Sequence, residues 1–262
     1  MTGDGLRGRV ALVTGASSGL GRATAAALAE AGAQVIVHGR DAARLAEVAG
    51  AVGGVAVPGD LAVPAEVERV AAAALDVAAR IDVLVCNAGA GWAGPFEAMP
   101  AADGDRLVAV NLAAPIGLTR LLLPQMRRRG GGRLVYVTSI AGRLGVAGEA
   151  VYAATKAGLD AFAESLRQEL RGSGVTVGVL VPGVVDTPFF VRRGAPYTRG
   201  RPRPLPPDRV AGALVRGIAA GSPEIYVPGW LRLPVAVRGL APAVYRTLAG
   251  RFGERVTPAD PR

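Results

Sequence analysis

Lysine is almost missing from this chain. Of its 30 basic residues 29 are arginine, and the one lysine is Lys156. There is one cysteine, Cys86, inside the apolar run Ile81–Cys86, so no disulfide framework exists and a buried, inert thiol is expected. With one histidine, His38, beside that single cysteine, no zinc site can be assembled, and no metal is expected. Aromatics are 5% of the chain, and the arginines behind the net charge of +9 are spread along it. That pattern is a solvated basic surface without a recognition element, and no nucleic-acid partner is expected. Met1–Val10 carries no apolar leader, and no stretch of 18 uncharged apolar residues occurs. A cytoplasmic location is therefore expected.

Apolar residues, at 50%, are enough for a full core. They come in repeated units, a β-branched run followed by an Ala/Leu-rich amphipathic stretch, which is the pattern of an α/β protein with a parallel sheet. Strands are expected at Val10–Thr14, Gln34–Val37, Val55–Val57, Val83–Cys86, Arg133–Ser139, Val175–Val181 and Ile225–Val227. Helices are expected at Gly19–Ala31, Ala42–Ala49, Ala65–Ala79, Asp103–Arg128, Val151–Arg171 and Asp208–Ala220. Right-handed crossovers then place helices on both faces of one doubly wound, Rossmann-like sheet of about seven strands. One domain is expected: residues 1–228 with an irregular loop at Phe189–Pro207, and an apolar, basic extension, 229–262, belonging to the same domain.

The run Thr14-Gly15-Ala16-Ser17-Ser18-Gly19-Leu20-Gly21 lies between a strand and a helix. Glycines there let the backbone approach a pyrophosphate held by free N–H groups at the helix N-terminus; an ordinary strand–helix turn is the other reading. At the end of the second strand the sequence is Val37-His38-Gly39-Arg40. No carboxylate stands at Gly39 to meet a ribose hydroxyl, and Arg40 offers a fork to a 2′-phosphate, which favours NADP(H) over NAD(H). Asp60 either hydrogen-bonds adenine or caps a turn. His38 is read as a strand-end residue rather than a catalyst.

Tyr152 and Lys156 are four apart on one helical face. An ammonium beside a phenol favours the phenolate and lowers the tyrosine pKa. Ser139, at the carboxyl end of a strand, lies where ligands of open α/β sheets gather.

These motifs, Thr14–Gly21, Cys86-Asn87-Ala88-Gly89, Asn111, Ser139, Tyr152-x-x-x-Lys156 and Pro182-Gly183 with Thr187, resemble in order and spacing those of the short-chain dehydrogenase/reductase family over about Val10–Val227. The only two asparagines, Asn87 and Asn111, fall on motif positions, while Cys86 departs from the usual asparagine. The resemblance implies an oxidoreductase moving hydride between nicotinamide and a carbonyl or secondary alcohol. Tyr152 is then the general acid or base, Lys156 binds the nicotinamide ribose, Ser139 positions the substrate oxygen and Asn111 holds a relay water. The cofactor would lie on Gly15, Ser17, Ser18, Gly19, Leu20, Gly21, Arg40, Asp60, Leu61, Asn87, Ala88, Gly89, Tyr152, Lys156, Pro182, Gly183, Val185 and Thr187. A homodimer or homotetramer pairing Asp103–Arg128 with Val151–Arg171 is also implied.

Trp92, Ile140, Arg143, Leu144 and Phe189 are expected to wall the substrate pocket, with the 189–207 loop as a lid. Apolar walls suit a hydrophobic ketone; Arg192, Arg193, Arg199, Arg201 and Arg203 suit an anionic one. The segment Ile225–Phe252 mixes Trp230, Leu231, Leu233, Val235, Val237, Leu240, Tyr245, Leu248 and Phe252 with Arg232, Arg238, Arg246 and Arg251. Either it lies on an anionic membrane or it is buried against protein. Non-catalytic readings, an NADP-binding redox sensor or a peripheral membrane protein, stand beside the enzyme.

Overall fold

Seven parallel strands form one sheet in the order β3-β2-β1-β4-β5-β6-β7 in the computed structural model, which describes residues 3–198 and 202–252. In chain order the elements are Val10–Val13 (β1), Gly19–Glu30 (α1), Gln34–Gly39 (β2), Ala42–Val52 (α2), Val55–Pro58 (β3), Pro64–Ala78 (α3) and Val83–Cys86 (β4). Ala101–Val108 (α4) and Ala114–Arg128 (α5) follow, then Gly132–Val137 (β5), Ile140–Leu144 (α6), Ala150–Glu169 (α7) and Val175–Pro182 (β6). Phe189–Arg192 (α8), Pro207–Ala219 (α9), Glu224–Val227 (β7), Arg232–Leu240 (α10) and Pro242–Phe252 (α11) follow within the described residues.

The central strands are apolar on both faces because helices cover both. β1 and β4 are buried at every position. On one face Leu12, Leu84 and Leu134 pack against Val70 of α3, Leu118 and Leu122 of α5 and Leu159 of α7. On the other, Val13, Val35 and Val85 meet Leu28 of α1, Leu45 of α2 and Leu214 of α9. Each such side chain contributes about 1.5–3 kcal/mol when fully buried. Between β1 and β4 the strand order reverses, so the loops after these two strands part and open a crevice at the carboxyl ends.

The expected sheet and its helices are present, with differences that follow from local chemistry. Asp103–Arg128, expected as one helix, is a continuous helix over 101–128 interrupted by a π turn, Ala109–Ala113, that carries Asn111. By length and composition it is the one helix among the described residues that could cross a membrane. Here its apolar stripe, Leu107, Leu118, Leu122 and Met126, is buried in protein. The 189–207 loop contains α8, and the expected apolar tail is two helices, α10 and α11. Arg199, Arg201 and the side chains of Arg251 and Phe252 lie outside the described residues.

Candidate active site

The crevice is a cleft of about 1460 Å³ running from the glycine turn to the C-terminal helices. Its floor is a hydrogen-bonded lock between β1 and β4. Thr14 Oγ1 accepts from the backbone N–H groups of Asn87 and Ala88, both at 3.0 Å. Asn87 Nδ2 returns the bond, donating to the Thr14 carbonyl at 2.8 Å and more weakly to that of Gly15 at 3.3 Å. Thr14 belongs to the expected motif, but its part in the lock is visible only in three dimensions.

Over this lock the glycine turn is too tight for side chains. Gly15 has φ +67°, and a Cβ there would stand 2.7 Å from Ala88 Cα. At Gly21 a Cβ would stand 2.2 Å from the Gly15 carbonyl oxygen. The result is a bare backbone cradle at the start of α1, suited to a pyrophosphate. Ser17, Ser18, Gly19, Leu20, Leu61, Gly89, Pro182, Gly183, Val185 and Thr187 also line the cleft. A nicotinamide dinucleotide therefore fits the residues present.

At the end of the cleft beside β2, Arg40 is exposed at the rim, with Arg44 beyond it. Both Asp60 carboxylate oxygens accept from Arg106 Nη2, at 3.1 and 3.0 Å, and Oδ1 also accepts from Ala62 N–H at 3.0 Å. Burial pushes the Asp60 carboxyl up, but these donors outweigh it and hold it below the ordinary value. Arg106 went unnoticed in the sequence because it is 46 residues from its partner. His38 is buried in β2 with Nε2 3.2 Å from the Gly59 carbonyl; desolvation lowers its pKa to about 4, so it is neutral at physiological pH.

At the other end Ser139, Tyr152 and Lys156 meet. Ser139 caps α6, its Oγ accepting from Ala141 N–H at 3.1 Å, and it hydrogen-bonds the Tyr152 phenol. Lys156 Nζ donates to the Val137 carbonyl at 2.9 Å and lies 5.8 Å from the centre of the Tyr152 ring. The expected lowering of the tyrosine pKa is not what these surroundings give. Burial pushes the phenol up to about 12, against the Ser139 hydrogen bond and the charge of Arg193, which pull it down; Glu149 adds to the rise. Lys156 is itself lowered to about 8 by burial, against the charge of Asp160. Cys86 is buried, its thiol pushed up to about 12, as an inert core cysteine should be.

Two expected site residues, Arg143 and Trp92, do not line the cleft, and Asn111 lies behind it, near Lys156. Asn111 is fully buried behind the cleft: Oδ1 accepts from Ala90 N–H at 2.8 Å, and Nδ2 donates to the Ala90 carbonyl at 2.9 Å and to Thr155 Oγ1 at 3.2 Å. Arg143 is turned away from the substrate side, its guanidinium paired with Asp160 at 2.8 Å and Glu224 at 2.9 Å. The two carboxylates outcompete an apolar pocket for the cation. Trp92 lines a separate cavity of about 220 Å³ that shares Leu107, Glu149 and Tyr152 with the cleft.

Ile140, Leu144 and Phe189 line the other half of the cleft, together with Phe190 and, from the tail, Leu231 and Tyr245. The tail roofs this half: Tyr245 Oη donates to the Leu144 carbonyl at 2.8 Å, Arg238 donates to that of Arg143, and Leu231 is buried. Its outer side is bare. Leu233, Leu240, Val244 and Leu248 are exposed, so neither full burial in the core nor a purely polar surface describes it.

Comparison with known proteins agrees with this geometry. Residues 9–197 match the family model for short chain dehydrogenases. The chain is 39% identical over 230 residues to the ketoacyl reductase HetN of Nostoc sp., covering 85% of this chain and 79% of that one. It is 34% identical over 233 residues to a 3-oxoacyl-[acyl-carrier-protein] reductase of Synechocystis sp., covering 86% and 94%. Among solved structures, a short-chain dehydrogenase from Sphingobium yanoikuyae in complex with NADPH superposes with TM-score 0.80 at 28% identity, covering 97% of this chain and 99% of that one. A 3-ketoacyl-(acyl-carrier-protein) reductase from Brucella melitensis complexed with NADH gives TM-score 0.79 at 30% identity, over 85% and 97%. With the parallel sheet, the glycine cradle and the Ser139, Tyr152 and Lys156 cluster in one cleft, the chain belongs to the short-chain dehydrogenase/reductase family of nicotinamide-dependent oxidoreductases.

Proposed function

We propose that the chain is an NADP(H)-dependent reductase of an apolar ketone, with a 3-oxoacyl compound as the substrate class. The observation that carries this is a phenol, protonated at neutral pH, hydrogen-bonded to Ser139 where an apolar half-cleft meets the glycine cradle. Bound along that cradle, reduced nicotinamide supplies hydride to the carbonyl carbon. Ser139 orients the carbonyl oxygen, and Tyr152 gives it the phenolic proton as charge develops there. Lys156 holds the ribose hydroxyls and stabilises the phenolate left behind. Both N–H donors of the Asn111 side chain are taken, by the Ala90 carbonyl and Thr155 Oγ1, while its Oδ1 accepts from Ala90 N–H alone and keeps one acceptor position for a relay water. The substrate class is suggested by the two relatives named as ketoacyl and 3-oxoacyl reductases and by the apolar walls Ile140, Leu144, Phe189 and Phe190.

The test is NADPH oxidation with a panel of 3-oxo esters and other ketones. Turnover by the wild type, reduced by about 10³-fold or more in Tyr152→Phe, is the expected result. Tight NADPH binding with no turnover anywhere in the panel would favour the redox-sensor reading instead.

NADP(H) is favoured over NAD(H) because position 39 holds no carboxylate and a side chain there would be crowded. A Cβ on Gly39 would stand 3.1 Å from Ser17 Oγ, while the exposed Arg40 sits beside it at the rim. Arg40→Ala should weaken NADPH about ten-fold or more and NADH little, measured by calorimetry; equal losses would end the assignment.

Two further expectations belong here. A homodimer or homotetramer through α5 and α7 follows from the family resemblance and is read by sedimentation. The bare outer side of α10 and α11 is assigned to an anionic membrane surface, since residues 229–252 contain arginines and no acidic residue.

A further inference from the structure

Beside the phenol is an ion pair that no step above uses. Glu149, just before α7, and Arg193, just after α8, are joined carboxylate to guanidinium, with side chains only 14% and 10% exposed. So deeply set a pair is hard to break, because either partner alone is a charge without water. Arg193 is held twice more. Its Nε donates to the Ala195 carbonyl at 3.0 Å, and its guanidinium lies 4.6 Å from the centre of the Phe190 ring.

The helix thus fastened carries Phe189, whose ring centre is 5.5 Å from that of Tyr152. On its other side α8 presses on Gly91, where a Cβ would stand 2.6 Å from the Phe189 ring and 3.1 Å from Arg193 Cβ. A side chain at 91 would force the Phe189 ring, and with it α8, to shift. The Gly91 loop is pinned in turn, Gly94 N–H donating to the Gly148 carbonyl at 2.9 Å, next to Glu149. The other arginines of the cleft serve different places. Arg40, Arg44 and Arg106 are at the end beside β2, and Arg192 Nη1 donates to Ser18 Oγ at the glycine turn, 3.0 Å away. Arg193 is the arginine whose charge reaches the phenol, and Glu149 opposes it.

We propose that Glu149 and Arg193 are positioning residues: their pair latches α8 over the substrate so that Phe189 holds the carbonyl against Tyr152, and, with Arg193 occupied, the site takes neutral apolar carbonyl compounds and turns away carboxylates. The proposal rests on the reading of the cleft as a carbonyl reductase and names the substrate charge within it.

The test compares methyl 3-oxooctanoate with free 3-oxooctanoate, using NADPH. Wild type should favour the ester by about ten-fold or more in kcat/KM. Arg193→Ala should raise KM for the ester about ten-fold while kcat stays within about three-fold. In Glu149→Gln the guanidinium is released, and the preference for ester over acid should shrink about ten-fold. The exchanged pair E149R/R193E should recover much of the ester KM, to within about three-fold of wild type. An unmoved ester-to-acid ratio in Glu149→Gln, or single-variant effects that simply multiply when combined, overturns the proposal.

Amide hydrogen exchange over 189–198 reads the latch without activity. Arg193→Ala should speed it about ten-fold or more, and unchanged exchange means there is no latch. Were the wild type to reduce neither compound, carbonyl reduction would fail as a reading, and exchange would still decide the latch.

Discussion

Tyr152 and Lys156 were legible as a pair from their spacing, but their protonation was not, because it depends on how deeply the fold sets them. Both are buried, and desolvation raises the phenol to about 12 and lowers the ammonium to about 8. The direction matters for the chemistry. A phenol that keeps its proton is ready to give it to a carbonyl, and the charge on Lys156 is the quantity that changes in the accessible range. Lys156 is cationic below about 8 and loses its charge as pH rises through that value. Reductive kcat/KM should accordingly be level around neutral pH and fall with an apparent pKa near 8. A profile level to about pH 10 would show that the Lys156 charge is not needed. Shape is tested separately by Lys156→Arg, which keeps the charge. Lys156 is 4% exposed and its Nζ makes a 2.9 Å bond to Val137 O, a site shaped for a thin ammonium stem rather than a planar fork. That variant should lose about 10²-fold in kcat with its fold intact by circular dichroism; normal turnover would make the lone lysine a coincidence.

At the scale of elements, what repeats with a period was legible and what depends on distant partners was not. β1, β4 and α3 stand where apolar runs and helical periodicity put them. The π turn at Asn111 was hidden, because an extra residue in a helical turn leaves the surrounding apolar pattern nearly intact. α8 was hidden too: four residues have no period to read, and its stability comes from Arg193 reaching Glu149 across 44 residues. Arg143 misled for the same reason, since Glu224, which helps draw it from the pocket, is 81 residues away. The glycine turn was legible as a motif, and the structure supplies its tolerance. A methyl group at Gly21 would meet the Gly15 carbonyl at 2.2 Å and Asn87 Nδ2 at 2.4 Å, both within the lock that joins β1 to β4. Gly21→Ala should therefore cost about 1–3 kcal/mol in urea denaturation and also weaken NADPH binding. A variant of wild-type stability and affinity would mean the turn has slack that these distances deny.

For the molecule as a whole, the sheet, its two helical layers and the place of the cleft followed from alternating strand and helix patterns, because burial on both faces leaves a strong mark on composition. The tail left a weaker mark. Its sequence fits both a core segment and a surface segment, and the fold divides it: Leu231 and Tyr245 turn inward over the cleft, while Leu233 and Leu240, seven apart on α10, turn out with Val244 and Leu248 of α11. Leu240 is 89% exposed, an unfavourable place for leucine unless something covers it. Contact of this face with its own copy about a two-fold axis would set two segments of like charge together, since 229–252 holds arginines and no carboxylate, with Arg232 and Arg238 already donating to the Glu224 and Arg143 carbonyls. An anionic bilayer has no such conflict: it takes the leucines into its interface and the arginines at its headgroups. Full-length protein should co-sediment with vesicles rich in phosphatidylserine, and far less with phosphatidylcholine alone or at high salt. L233E/L240E, which touches only the outward stripe, should abolish sedimentation while leaving NADPH affinity unchanged. Equal sedimentation of the variant and the wild type would remove the membrane assignment. So would a wild type that ignores both vesicles yet forms an oligomer which L233E/L240E dissociates, and that result would give the face to a neighbouring subunit.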